Sequence, residues 1–288
     1  MLVELGSGQF GSDDQPEIPK RRAKCHIPWF SLAFSMLGSL VLLFIVAPLL
    51  GMVLASSLSE LKGAALDRQV TDSIRLTLWA ALVATVVCAL FGVPLAYLLA
   101  RREFRGKSLV LAIIDLPIII PHSAAGIALL TLIGRNSALW SILPGEQMGL
   151  VGTTAGIAAA MAFVSVPYLV NAARLGFEAV PERLERVART LGASPRRVFL
   201  TISLPMAWRA VLSGMILMWA RGISEFGAVI IIAYHPMTTP VLIFQRFNDY
   251  GLAYARSAAV LLVIICVAIF GMLRFIGRER VREEHRCD

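Results

Sequence analysis

Arg221 and Glu225 carry the sharpest chemistry in this chain: two opposite charges, four residues apart, in an otherwise apolar run. Ionisable groups in such a run are costly and often functional. Their i, i+4 spacing also lets them satisfy each other on a helix. Two roles stand open: a structural pair or gate contact, or direct contact of Arg221 with an anionic ligand. A second polar point lies in Asp115-Leu-Pro117-Ile-Ile-Ile-Pro121-His122-Ser123. A carboxylate repels anions, so Asp115 is expected to pair with a basic neighbour between Arg101 and Lys107. His122 either donates to a ligand beside Pro121 or is a buried histidine satisfied by a neighbouring carbonyl.

Other reactive-looking clusters fail on spacing. Gly106-Lys107-Ser108 resembles the end of a phosphate-binding loop, but the glycine required five positions earlier is Arg101. This chain is therefore expected to bind no ATP and no other cofactor itself. His285-Arg-Cys287 supplies too few ligands for zinc. Cys25, Cys88, Cys266 and Cys287 form no C-x-x-C pair, and two of them sit in apolar runs. No hydrolase constellation is present.

A third polar region reads as a contact surface. In Leu184-Glu-Arg-Val-Ala-Arg-Thr-Leu-Gly192-Ala-Ser-Pro195, the apolar Leu184, Val187, Ala188 and Leu191 recur at helical spacing. Glu182, Arg183, Glu185, Arg186 and Arg189 occupy the rest. Pro181 suits the first helical position and Gly192 the residue just past the end. Ser194-Pro195 reads as a second cap, after which Val198, Phe199 and Ile202 give the next helix a sticky side. The helix, roughly 11 residues and about 17 Å long, has the form of a rigid docking lever.

The elements that position these residues are membrane spans. The chain of 288 residues is 57% hydrophobic, and only 16% of it is charged. Soluble domains carry about 25% charge. Six runs reach the ~20 apolar residues needed to cross a hydrocarbon core: Trp29–Leu54, Ile74–Leu99, Leu109–Ile133, Val151–Ala173, Met206–Phe226 and Tyr254–Phe275. The first is too long for a cleaved signal and follows the basic Lys20-Arg21-Arg22-Ala-Lys24. Residues 1–26 are expected to be a disordered cytoplasmic segment, 27–277 the transmembrane domain and 278–288 a cytoplasmic tail. Lysine and arginine crowd before the first span, at 101–107, from Arg174 to Arg209 and after Arg274. The positive-inside rule then places both termini and the 181–205 loop in the cytoplasm. Pro117 and Pro121 should kink or break the third span. Gly152-Thr-Thr-Ala-Gly156-Ile-Ala-Ala-Ala160 offers a small-residue surface for plain packing, a dimer seam or a pore lining.

The spacing Ala188-x-x-x-Gly192, nine residues, then Ile202-x-Leu204-Pro205 resembles the EAA loop of binding-protein-dependent ABC importer permeases. Here Arg186 stands where that family has its glutamate, with Glu185 one residue earlier, and Val187 replaces its first alanine. Asp115 to Leu129, Trp219 to Ala228 and Tyr234 to Pro240 are similar to stretches of the molybdate/tungstate importer permeases, and the likeness covers about Trp29 to Gly277. Sulfate permeases share several of these features. The resemblance implies an all-α, six-span, type I importer (MetI-like) fold in a prokaryotic cell membrane. Implied partners are a cytoplasmic ABC ATPase dimer holding ATP and magnesium, an extracytoplasmic oxyanion-binding protein, and a second permease copy. Lipid surrounds it, and nucleic acid has no part. Glu182, Leu184, Glu185, Arg186, Val187, Ala188, Leu191, Gly192, Ala193, Ser194 and Pro195 would meet the ATPase. Pro121, His122, Ser123, Arg221 and Glu225 would line or gate the pathway.

Rival readings remain. A secondary anion transporter or channel would need no docking helix and would favour acidic residues at mid-membrane. A membrane-embedded enzyme would need a catalytic set that Asp115 and His122 do not make. A DNA-binding helix-turn-helix at 181–205 conflicts with tethering between two spans.

Overall fold

A computed structural model describes residues 29–134 and 149–284, with side chains placed as far as Met272. The expected N-terminal segment, Arg135, Cys25, His285 and Cys287 lie outside the described residues. Every regular element among the described residues is helical. The chain divides at Gly51 into two units. The first holds most of helix α1 (Trp29–Leu54), 26 residues with a mean hydropathy of 2.6 and the length to span a membrane.

In the second unit, α2 (Leu58–Leu66) begins at a capping box in which the Ser57 side chain accepts from the Glu60 N–H and the Glu60 carboxylate accepts from that of Ser57. Asp67 then caps α3 (Arg68–Arg101), whose 34 residues make a rod of about 51 Å. Two short helices follow, α4 (Lys107–Ile119) and α5 (His122–Ile133). Beyond them run α6 (Thr154–Glu178), α7 (Glu182–Thr190) and α8 (Pro195–Val198). A π-helical turn, Phe199–Ser203, joins α8 to α9 (Leu204–Ile223). The chain closes with α10 (Gly227–Ile232), α11 (Thr239–Tyr250) and α12 (Leu252–Glu284).

Glycine lets three long helices pack without intervening side chains. A Cβ built on Gly176 of α6 would lie 2.3 Å from the Ala210 Cβ of α9, and one on Gly214 of α9 would lie 2.9 Å from the Ala172 Cβ of α6. Gly222 of α9 meets Ala81 of α3 in the same way, at 3.3 Å. Lipid tails are as apolar as side chains, so close backbone approach is what draws helices together in a membrane. Gly156 is also a packing residue: its Cβ would strike the Leu150 carbonyl at 2.1 Å and Ile232 of α10 at 3.1 Å.

The third apolar run is where structure and sequence part. It is no single rod: α4 and α5 are bent by 112° at Ile120–Pro121. Each arm, about 18–20 Å long, falls short of a ~30 Å hydrocarbon core. Proline disfavours helical backbone in the residue before it, and Ile120 is extended, at φ −70° and ψ 145°. Pro117 is tolerated inside α4. The described residues therefore contain five helices able to span, and a sixth crossing only if the bent pair counts as one. The fifth span begins earlier than expected, since α8, the π turn and α9 form one continuous rod, Pro195–Ile223.

Candidate functional site

Two polar centres stand out, one at each kind of break the sequence marks. The first surrounds α7. Its C-terminal end is a Schellman motif: the Ala193 N–H donates to the Ala188 carbonyl and the Gly192 N–H to that of Arg189, both at 3.0 Å. Gly192 supplies the required positive φ of 85°. Ser194 then caps α8 through the Arg197 N–H, with Pro195 at its first position. At the other end Pro181 is the cap itself, one residue outside its expected place.

The apolar side of α7 points outward. Leu184, Val187 and Leu191 are 42%, 50% and 83% exposed. Ala188 and Ala193 are half-buried, while Glu182, Arg186, Gly192, Ser194 and Pro195 are exposed. Glu185 points the other way and is 3% exposed. Its Oε1 accepts from Arg101 Nε and from the Ser203 hydroxyl, each at 2.8 Å, and its Oε2 accepts from the Tyr97 hydroxyl at 3.1 Å. Arg101 also donates to the Val180 carbonyl at 2.9 Å. One carboxylate thus fastens α7 to α3 and to the π turn, and Arg101 ties the α6–α7 turn to the same point. Burial works against the charged form of Glu185, yet Ser203, Arg101 and Tyr97 together hold its carboxyl below the usual range. Beneath it, Tyr97, Phe177 and Phe199 form an aromatic floor, with centroids 4.9–6.0 Å apart.

The second centre joins the α4–α5 break to the α9–α10 break. Arg221 lies in the last turn of α9, and Glu225 lies just beyond it, in the link to α10. Their approach is 2.8 Å, between Nη2 and Oε2, and lacks the alignment of a hydrogen bond, so it is a charge contact. The other carboxylate oxygen accepts from the Ala228 N–H at 2.9 Å. The same Arg221 nitrogen sits 2.8 Å from His122 Nε2. A guanidinium can only donate, so that ring nitrogen accepts. A Cβ built on Gly227 would lie 2.8 Å from the His122 Cβ and 3.3 Å from the Ser123 nitrogen. The two interrupted segments therefore touch at backbone level. Pro121, His122, Arg221 and Glu225 are brought together here, with Ser123 exposed beside them. Gly227 completes the contact, and its only signal in the sequence was its place after Glu225-Phe226.

Asp115 corrects an expectation. Instead of a basic neighbour it takes the amide of Asn171 on α6, at 2.6 Å. A neutral donor on an adjacent helix satisfies a carboxylate there without importing a second charge. His122 likewise rests on a guanidinium, not on a carbonyl. Among the described residues no group of three or more His, Cys, Asp or Glu could hold a metal.

Residues 92–282 match the model of the binding-protein-dependent transport system inner membrane component. The chain belongs to that family. It is 46% identical over 255 residues to the molybdate/tungstate transport system permease protein of Pyrococcus furiosus, covering 88% of this chain and 97% of that one. With its counterpart in Thermococcus kodakarensis the figure is 45% over 249 residues, covering 85% and 96%. A probable sulfate transport system permease protein of Nephroselmis olivacea is 30% identical over 252 residues, covering 86% and 88%. Among solved structures, a bacterial ABC transporter that imports alginate aligns with a TM-score of 0.65 at 15% identity, over 87% of this chain and 95% of that one. The methionine ABC transporter MetNI aligns at 0.53 and 15%, over 75% and 98%. These likenesses fix the fold: a multi-pass membrane permease of the type I importer class.

Proposed function

We propose that this chain is the membrane-spanning subunit of an ATP-driven importer for a tetrahedral oxyanion, tungstate or molybdate before sulfate. The observation that carries the reading is α7, a capped helix whose apolar stripe is exposed while its one buried carboxylate locks it to the long helices. Such a helix is built to be pushed. A separate ATPase dimer would seat on the stripe, hydrolyse ATP outside this chain, and move α3 and α9 through Glu185. The basic segments support a cytoplasmic place for α7 and for both termini. A second permease copy would complete the pathway, and an external receptor would deliver the anion. The oxyanion class draws its support from the relatives' names and their coverage of nearly the whole chain.

At the paired breaks, Arg221 is the cation placed to meet an anion, with His122 able to turn a ring N–H toward it. Broken helices are tolerated at membrane depth where they line protein or a water-filled path. Glu225 would hold Arg221 in place between passages.

ATP-dependent uptake of labelled tungstate into proteoliposomes, with receptor and ATPase added and with molybdate or sulfate as competitor, tests the reading. Uptake should require all three components and yield to molybdate before sulfate. Transport by the purified chain alone would support the rival secondary transporter. A cysteine at Arg186 should react with impermeant reagents only from the inner side.

A further inference from the structure

We infer that the ATPase surface receiving α7 is acidic on the side facing the end of α3, and that Arg102 and Arg186 select it. The inference rests on the proposed docking of α7 to an ATPase. The two flanks of α7 differ. On one, Leu184, Val187 and Leu191 border an apolar groove closed by Ile202 and Met206. On the other, a cleft against the end of α3 is lined by Arg101, Arg102, Glu182, Glu185, Arg186 and Arg189.

The charges in that cleft do not balance. Arg101 and Glu185 neutralise each other at 2.8 Å. Arg189 approaches the same carboxylate only to 3.7 Å and is half exposed. Arg102 and Arg186 are exposed and have no ion pair or side-chain hydrogen bond among the described residues. Glu182 is the one other carboxylate in the lining. The cleft is left with a net positive charge. A guanidinium presents a planar fork that matches a carboxylate and resists substitution by a point charge. A partner straddling α7 must therefore offer apolar side chains to one flank and carboxylates to the other. A basic partner surface would be turned away, so the cleft sets which ATPase is accepted as well as how fast it docks.

The test uses the whole permease in lipid nanodiscs and, as the probe, the ABC ATPase subunit of the same organism proposed above as its partner. Affinity is measured from roughly 50 to 300 mM NaCl, across which exposed charges become screened. Wild-type binding should weaken with salt. Arg186→Glu should weaken it about tenfold at low salt, and Arg102→Glu with Arg186→Glu should weaken it further and flatten the salt dependence. Both residues are exposed and unpaired, so the melting temperature should hold; if it falls, Arg→Gln replacements carry the same comparison at smaller amplitude. Changing to arginine the ATPase carboxylate that cross-links to position 186 should restore binding to Arg186→Glu. Equal affinity and salt response in wild type and double variant would overturn the proposal while leaving docking intact. So would a loss confined to phosphatidylglycerol bilayers and absent in phosphatidylcholine, which would assign the arginines to lipid headgroups. Failure of the wild type itself to bind the ATPase would remove the docking reading as well.

Discussion

Glu185 and Glu225 are both buried carboxylates beside an arginine, yet they are held in opposite ways. Glu185 receives directed hydrogen bonds from three side chains on α3 and the π turn. Glu225 has its arginine on the preceding turn of its own chain, and one of its oxygens lacks an aligned donor. The first arrangement is fixed by three directed bonds; in the second the arginine is tied by an unaligned charge contact and is freer to turn toward another partner. A joint that transmits movement needs the former, and a contact that opens for a passing ion needs the latter.

Removing one partner from each centre separates the two roles most sharply. Arg101→Ala removes the buried ion partner of Glu185 and leaves it only the half-exposed Arg189 at 3.7 Å, a loss of up to about 3–5 kcal/mol. A large fall in melting temperature and loss of both ATPase association and uptake should follow; a wild-type melting curve would rule out the node as a structural joint. Arg221→Ala also leaves a buried carboxylate, with only the Ala228 N–H to hold it, so the melting temperature should fall there too; uptake should be abolished while the ATPase still binds. Loss of assembly in that variant would return Arg221 to a purely structural role.

Gly227→Ala sharpens the picture at the breaks. Its methyl would press on the Cβ and backbone of His122, which cannot yield like a flexible tip, and overpacking of this kind costs about 1–3 kcal/mol. Uptake should drop while ATPase binding is kept. Gly192→Ala meets no atom within 4 Å. Its cost is only that of a left-handed backbone, about 1–2 kcal/mol, which should loosen the end of α7 and weaken ATPase association modestly.

Acid should act on the first centre through Glu185. The folded state lowers the Glu185 pKa, so its stabilisation is complete above the unfolded value, near 4.3, and is lost as pH falls through the folded one. Melting temperature below about pH 4.3 should decline less steeply in Glu185→Gln than in wild type. Parallel curves would deny Glu185 that role.

Much of this was legible in the residues, and the exceptions share one cause. Apolar runs announced five of the spans, Pro121 announced the break in the third run, and Gly192 with Ser194-Pro195 announced the end of α7 and the start of α8. Periodicity found the apolar side of α7 but could not say what that side meets. Nor could it foretell that Glu185 turns inward, because its partner Arg101 lies 84 residues away. Asp115 was misjudged for the same reason: the nearest basic loop in sequence was not the nearest donor in space, and Asn171 lies 56 residues on. The 112° fold-back of α5 is likewise set by its contact with α10, which no local pattern encodes.

The π turn Phe199–Ser203 acts as a phase shifter. Each residue in an α-helix advances about 100° around the axis, and a π turn holds one residue more than the α ladder needs. That surplus decides which way Ser203 faces relative to α8. Were the same five residues wound as α-helix, the Ser203 hydroxyl would turn by about a quarter circle away from Glu185 and leave α7 out of register with the span. Removing Thr201 would instead let the rod run as uninterrupted α-helix with Ser203 still in phase.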